Sequence, residues 1–252
     1  MKIILTFLIL ILMISKTYGQ EFQKAPLNDD FKKVIEKKSK IKGYVPSPTY
    51  YVFSDQTNRD DLKYTLPESF DLRDEGFVSS VKNQGNAGHC WSFAAIGSVE
   101  SRNLKLGFSE YDLSEQNMAT CHGFEWEEGG NQSMATAYLT RLQGPLLESQ
   151  NPYNQNNFDC TVTGVTPQFF VSESNFLPRN PDLIKYILMN YGAVAVSYHH
   201  DDTYFNATNN TYYYSGEVGP NHGVLLVGWD DNQPTSGGQG AWIIKNSWSE
   251  NW

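Results

Sequence analysis

Four residues whose side chains together support acyl transfer occur along the chain in the order Gln84, Cys90, His222 and Asn246. A thiol attacks only as its thiolate, and a helix amino terminus or a neighbouring imidazolium lowers the thiol pKa. Cys90 opens a run with helical spacing, and His222 opens a strand-like run. Asn246 can accept the imidazole N–H, and Gln84 can donate to an oxyanion beside the Cys90 N–H. The sequence therefore offers a nucleophile, a general base, its orienting partner and an oxyanion donor.

Each of these residues also has an ordinary structural interpretation when it is taken alone. Cys90 could be a buried small hydrophobic residue or half of a disulfide, His222 a strand-end histidine and Asn246 a turn residue. The run from His199 to Asp202 contains two histidines and two aspartates, but its spacing does not match a closed metal site. We predict no metal and no cofactor. The sequence assigns no catalytic role to the other histidines.

The elements that must position these residues follow from hydrophobic periodicity and capping residues. Helices are predicted over 90–107, 111–121, 133–145 and 180–192, with Ser114 and Asn180 as amino-terminal caps and Gly107, Gly144 and Pro145 as stop signals. Strands are predicted over 193–198, 222–229 and 241–248, with 230–240 as a loop. Helices thus come early and strands late. This order predicts an α+β fold with a helical and a β subdomain and a cleft between them.

The amino-terminal sequence has the pattern of a secretory signal peptide. Lys2 precedes an apolar run over 3–14, and small residues occur near 17–19, so Gln20 is the expected first mature residue. A membrane anchor is the alternative, but the run is short for a bilayer. We expect residues 20–65 to form a leader and linker, with a basic stretch over 31–42 that either forms a helix on the acidic body or stays solvated.

Length, composition and charge limit the classes of function that remain. The chain has 252 residues, of which 40% are hydrophobic and 19% charged, which argues against disorder and favours one large domain or two small ones. The net charge is −9, and the excess of acidic residues lies after residue 42, so we expect no nucleic-acid binding. We predict a monomer without a stable membrane anchor, in a secreted, periplasmic or lysosome-like location.

The local sequences around these residues are similar to those of the papain/cathepsin family of cysteine peptidases. They include LPESFDLR, VKNQG, CWSF, LSEQ, the glycine pair 129–130, NHGV and KNSW, all in the family order. His222 and Asn246 follow Cys90 by 132 and 156 residues, close to the roughly 130–150 of this family. The resemblance covers roughly residues 66–252 and implies a papain-like fold and hydrolysis of proteins or peptides.

The resemblance also implies a role for each matching residue. Cys90 would be the nucleophile and His222 the general base and acid, oriented by Asn246, and Gln84 would complete the oxyanion hole. Trp248 would shield the bond between His222 and Asn246. Residues expected to contact substrate are Gly129 and Gly130, which would bind an extended peptide backbone, together with His89 and Trp248.

Three departures from the family pattern matter here. The first is one missing disulfide, with Ala87 and Glu127 standing at the two cysteine positions, while a second family disulfide is expected between Cys121 and Cys160. The second is His89, which either favours the thiolate as a cation or is a tolerated residue of the cleft wall. The third is the chain's end at Trp252, where the family continues with further strands, so we expect the β subdomain to be incomplete.

The expected organisation is a signal peptide over 1–19, a leader that could be inhibitory over 20–65, a helical half over 66–170 and a β half over 171–252. The predicted function is a secreted papain-like cysteine endopeptidase that forms a thioester at Cys90. The alternatives are a non-catalytic papain-like homologue that binds peptides or partners, an inactive fragment, and an amidase of cell-wall type, in which LSEQ and KNSW are not expected.

Overall fold

The computed structural model describes residues 27–36, 43–51, 65–124, 129–142, 144–160, 162, 164–167 and 169–252. The predicted signal peptide therefore lies outside the described residues. Five α-helices are found in the described part of the chain: α1 (Asp29–Glu36), α2 (Cys90–Lys105), α3 (Glu115–Thr120), α4 (Gln132–Thr140) and α5 (Pro181–Tyr191). Within these ranges, no helix is long and apolar enough to cross a membrane.

Helix starts follow the predicted caps closely. The Ser114 hydroxyl accepts the N–H of Asn117 at the start of α3, and the Asn180 side chain accepts the N–H of Leu183 at the start of α5. Helix α4 begins at Gln132 because the Asn131 side chain caps it, a position that the periodicity did not identify. Polar side chains that satisfy the first free N–H groups thus fix these helix starts.

The strands of the described residues form one four-stranded antiparallel sheet and two small pairs. They are β1 (Gly43–Tyr44), β2 (Ser69–Asp71), β3 (Gly129–Gly130), β4 (Val194–Tyr198), β5 (Phe205–Asn206), β6 (Thr211–Tyr212), β7 (His222–Thr235) and β8 (Gly238–Lys245). Strand β7 is central and pairs with β2, β4 and β8. The other pairs are β1 with β3, which is parallel, and β5 with β6.

The prediction of a loop over 230–240 is wrong. Strands β7 and β8 continue through this region as a hairpin, in which Pro234 pairs with Gln239 and Thr235 with Gly238. A register shift between Asp230 and Pro234 accommodates the irregularity. Most residues of the hairpin tip are exposed, so they lack the alternation of polar and apolar residues by which a strand is recognised.

Helix α2 lies between two hydrophobic clusters. Its residues Trp91, Ala95 and Ile96 belong to a cluster with α3 and α4. The second cluster gathers side chains of β7, α5 and the chain near β2, and Gly97 of α2 approaches Leu225 of that cluster. Because α2 contacts both clusters, its amino terminus lies between the helical and the β parts of the molecule.

Candidate active site

Cys90 is the first residue of α2, and its thiol is buried and free of any disulfide. The N–H of Gly223, on β7, donates a hydrogen bond of 3.3 Å to the Cys90 Sγ. The N–H groups of Cys90 itself and of Trp91 also point to the sulfur, as expected at a helix amino terminus. The thiol therefore lies among backbone donors that favour a thiolate.

His222 is the first residue of β7, so it stands directly before the residue that contacts the Cys90 sulfur. Its Nε2 donates a hydrogen bond of 2.8 Å to Oδ1 of Asn246, which follows the last residue of β8. The same Oδ1 accepts the N–H of Ser247 at 2.9 Å, which fixes the orientation of the amide. With the proton on Nε2, Nδ1 is the basic nitrogen of His222.

Aromatic rings cover the histidine. The Trp248 indole stacks on the His222 ring with centroids 4.4 Å apart and planes inclined by 25°. His200 lies at the edge of Trp248, 4.8 Å between centroids, and its two ring nitrogens contact the Tyr198 hydroxyl and the Asp202 carboxylate. This enclosure excludes water from the bond between His222 and Asn246.

Burial dominates the protonation of both reactive groups. It raises the pKa of the Cys90 thiol to about 11, although the surrounding N–H groups oppose this rise. It also lowers the pKa of His222 to about 4, while the bond to Asn246 opposes the shift and the charge of His200 adds to it. Burial therefore disfavours the charged form of both groups.

Gln84 is fixed by contacts with the loop before Cys90 and with the residue after Asn246. Its Nε2 donates to the carbonyl of Ala87 at 2.8 Å, and its Oε1 accepts the Ser247 hydroxyl at 2.6 Å. The backbone N–H of Gln84 donates to the Ser247 carbonyl at 2.8 Å. One N–H of Nε2 remains for another acceptor, since an amide nitrogen carries two.

The glycine pair 129–130 carries a strand of the chain's own leader. Gly43 pairs with Gly129 and Tyr44 with Gly130 in parallel register, and the N–H of Val45 donates to the Gly130 carbonyl at 2.8 Å. Gly130 lies so close to Trp91 that a Cβ atom there would clash with the indole. Within the segment 20–65, expected to form a leader and linker, residues 43–45 are therefore not a linker, because they bond to residues far away in sequence.

The leader passes directly over Cys90. A Cβ atom built on Gly43 would lie 3.7 Å from the Cys90 Sγ and 2.7 Å from the Asn221 carbonyl oxygen, and the φ angle of Gly43 is +96°. The N–H of Tyr44 donates to the same carbonyl at 3.0 Å. Helix α1 precedes this strand, and its Lys32 and Lys33 pair with Asp29 and Asp30 of the same helix.

The remaining predicted residues lie around this centre. His89 directly precedes Cys90 and is only 1% exposed. The disulfide between Cys121 and Cys160 is present, and Ala87 is buried in the loop before α2, whereas Glu127 lies outside the described residues. Sequence reasoning missed Tyr153 and Ser247, which contact Gln84, because pattern and spacing carry no signal for such distant pairs.

Comparisons with known proteins define the class of this molecule. Residues 66–252 match the model of the papain family of cysteine proteases, and the chain belongs to that family. It is 34% identical over 203 residues to a probable cysteine protease, RD19B, of Arabidopsis thaliana, covering 74% of this chain and 56% of the plant protein. It is 27% identical over 231 residues to cathepsin J of Mus musculus, covering 89% of this chain and 66% of the mouse protein. The chain thus spans about half to two thirds of the length of these relatives.

Solved structures share the fold. The protease and lectin-like domains of Cwp84, a surface layer associated protein of Clostridium difficile, superpose with a TM-score of 0.74 at 27% identity, covering 90% of this chain and 54% of that one. A recombinant stem bromelain precursor superposes with a TM-score of 0.62 at 29% identity, covering 84% of this chain and 68% of that one. The fold is therefore papain-like and α+β.

Proposed function

We propose that this chain is a cysteine endopeptidase that hydrolyses peptide bonds through a thioester at Cys90. The observation that carries the proposal is the hydrogen bond from the N–H of Gly223 to the Cys90 thiol at the start of α2, since Gly223 directly follows His222, which is bonded to Asn246. A nucleophile, a base and an orienting amide thereby occupy one buried centre.

The reaction follows from these positions. Nδ1 of His222 takes the thiol proton, and the thiolate attacks the substrate carbonyl carbon, whose oxygen becomes an oxyanion held by the Cys90 N–H and Gln84 Nε2. The imidazolium then gives its proton to the leaving amine, which leaves a thioester at Cys90. A water molecule activated by His222 attacks the thioester, releases the carboxylic acid and restores the thiol.

Endopeptidase activity is supported by the path of the leader. The leader contacts the molecule before and after Gly43 in sequence, because Asp30 of α1 lies near Gly219 and Tyr51 stacks on Phe176 with centroids 4.3 Å apart. A site that holds a segment continuing past Gly43 in both chain directions is suited to internal peptide bonds.

The leader is proposed to inhibit the enzyme. Its strand β1 occupies the backbone partners at Gly129 and Gly130 that an extended substrate would need. Structures of related precursors, the stem bromelain precursor and a digestive procathepsin L 3 of Tenebrio molitor, are among those similar to this chain. Activity then requires strand β1 to leave the glycine pair.

We also propose that the protein is exported and that its peptidase domain consists of two halves. A disulfide between Cys121 and Cys160 persists in oxidising compartments, which agrees with removal of residues 1–19 as a signal peptide. Amino-terminal sequencing of the exported protein should begin at Gln20. The cluster of α2, α3 and α4 supports a helical half within 66–170, and the cluster of β7 and α5 supports a β half within 171–252, but β2 and Leu72 of the first range pack with the β half.

The proposal is tested by peptide hydrolysis with the full chain, into which a site for a specific protease is introduced within residues 52–64. After folding, the site is cut and the leader is washed away. We expect hydrolysis of an internal peptide bond and a loss of at least about 10³-fold in kcat for Cys90→Ala and His222→Ala. Equal hydrolysis by the wild-type chain and Cys90→Ala would refute the mechanism.

A further inference from the structure

A buried histidine next to the nucleophile has no part in the mechanism described above. His89 precedes Cys90, and its Nδ1 lies 3.1 Å from the Tyr153 hydroxyl oxygen. That hydroxyl donates a hydrogen bond of 2.9 Å to the carbonyl of Gln84. Because a tyrosine hydroxyl has a single hydrogen, its oxygen accepts from His89, and Nδ1 therefore carries a proton.

Neighbouring rings contact this histidine. The Tyr153 ring meets the His89 ring edge-on with centroids 5.9 Å apart, and the Phe158 ring meets it at 5.7 Å. The backbone carbonyl of His89 accepts the N–H groups of Ser92 and Phe93 at the start of α2. The His89 side chain thus connects the nucleophile helix to Tyr153.

The hydrogen bonds that run from His89 through Tyr153 end on Gln84, the residue that would donate to the oxyanion. The Ser247 contacts hold Gln84 from the side of Asn246, and the Ala87 contact lies within the same loop. Tyr153, in the segment that follows residue 150, adds a contact to the Gln84 carbonyl. Gln84 is therefore fixed relative to both the nucleophile helix and the residues that follow β8.

We propose that His89 and Tyr153 are positioning residues that hold Gln84 at the correct distance from the Cys90 N–H. The inference rests on the proposed function, since it concerns the oxyanion hole of that reaction. The two hydrogen bonds link the residue before the nucleophile to the main chain of Gln84, so they set the spacing between the two donors. Preorganised donors stabilise the charge that develops on the carbonyl oxygen without reorganising.

This role differs measurably from an electrostatic effect on the thiolate. Alkylation of Cys90 by chloroacetamide forms a C–S bond and releases chloride, and no oxyanion develops. Its rate depends on the thiolate and on access to it. Peptide hydrolysis needs both the thiolate and the oxyanion donors. Loss of a positioning residue should therefore slow hydrolysis while alkylation proceeds at its usual rate.

The experiment uses the full chain after the leader has been cut and removed, in three variants: His89→Ala, His89→Asn and Tyr153→Phe. Phe158→Leu is the control, because Phe158 contacts the His89 ring but makes no hydrogen bond to it. Removal of an oxyanion donor costs about 10²–10³ in kcat, so loosening one is expected to cost about tenfold. His89→Ala and Tyr153→Phe should each show this loss in kcat with KM unchanged, and the double variant should lose no more. His89→Asn places an amide nitrogen near the position of Nδ1 and should retain most of the activity.

The alkylation rate of Cys90 from pH 4 to 10 is measured on the same proteins, together with their thermal unfolding. We expect the same alkylation profile in all variants, and wild-type kcat in Phe158→Leu. Unchanged kcat in both His89→Ala and Tyr153→Phe would overturn the inference. The inference would also be overturned if the alkylation rate of the His89→Ala or Tyr153→Phe variant fell by the same factor as its kcat. It would be overturned as well if His89→Asn hydrolysed peptide as slowly as His89→Ala. If the wild-type chain itself neither hydrolyses peptide nor is alkylated at Cys90, the proposed function fails first.

Discussion

The reactive pair lies in an environment that disfavours charge on either residue while the leader is bound. Burial raises the pKa of Cys90 to about 11 and lowers that of His222 to about 4. The backbone of Gly43 contributes to this burial, because it lies against the thiol. We infer that departure of the leader returns water to the pair and lets His222 take up a proton at a higher pH.

A single methyl group on the leader should weaken its hold on the cleft. In Gly43→Ala the new Cβ atom would lie 2.7 Å from the Asn221 carbonyl oxygen, on a backbone with φ of +96° that side chains rarely adopt. We expect the uncut Gly43→Ala chain to hydrolyse peptide at least about tenfold faster than the uncut wild type, since about 1.4 kcal/mol corresponds to a factor of ten. Initial rates on the uncut chains measure this difference.

The matched control is Gly76→Ala. Gly76 has a similar φ of +74°, but a Cβ atom there meets nothing within 4 Å. This variant carries comparable backbone strain away from the cleft, so the uncut Gly76→Ala chain should hydrolyse peptide at the rate of the uncut wild type. If both variants behave like the wild type, β1 is not what blocks the cleft.

At the scale of elements, the sequence predicts the four helices that surround the site because their determinants are local. The caps Ser114 and Asn180 and the apolar periodicity of α2 depend on residues a few positions apart. Strand β1 was missed, since its partners Gly130 and Asn221 are far away in sequence. The order of Gln84, Cys90, His222 and Asn246 predicts the candidate site, but the supports from Tyr153 and Ser247 appear only in three dimensions.

A buried charge network joins the loop before Gln84 to two helices. The Lys82 ammonium contacts the carboxylates of Glu100 on α2 and Glu115 on α3, both at 2.9 Å, and the carbonyl of Leu113 at 3.0 Å. Both carboxylates are almost fully buried, and burial raises the pKa of Glu115. Lys82 therefore compensates two acidic groups and holds the loop that leads to Gln84.

Removal of this lysine should destabilise the fold. In Lys82→Met the buried carboxylates lose their partner, and breaking a buried pair in this way costs about 3–5 kcal/mol. We expect that decrease in the free energy of unfolding, measured by urea denaturation of the full chain. Lys33→Met, which removes an exposed lysine of α1, should change it by less than about 1 kcal/mol. Equal stability of the two variants would contradict this role of Lys82.

At the scale of the whole molecule, proton binding is coupled to leader binding. With the leader in place, burial lowers the pKa of His222 from its ordinary 6.5 to about 4. We infer that departure of the leader reduces this burial and moves the pKa back toward 6.5, so that the uncovered state binds more protons between these values. By linkage, a fall in pH through this window favours the uncovered state.

The affinity of the cut leader should therefore decrease as the pH falls from about 6.5 to 4, by at most about tenfold per pH unit. Titration of the cut chain with a peptide of residues 20–51 at a series of pH values measures this dependence. His222→Gln, which cannot be protonated, should bind the peptide with an affinity that depends much less on pH in this range. An affinity that is constant with pH in the wild type would disprove the coupling.

The central claim is that Cys90 is the nucleophile of a papain-family peptidase. A peptidyl epoxide tests it directly, because the ring opens on an activated thiolate and leaves a permanent thioether. Peptide mapping by mass spectrometry should find the adduct on Cys90 in the cut chain, much less in the uncut chain, and none in Cys90→Ala or after substitution of His222 by alanine. An adduct on another residue, or none on Cys90 of a folded and cut chain, would contradict the account.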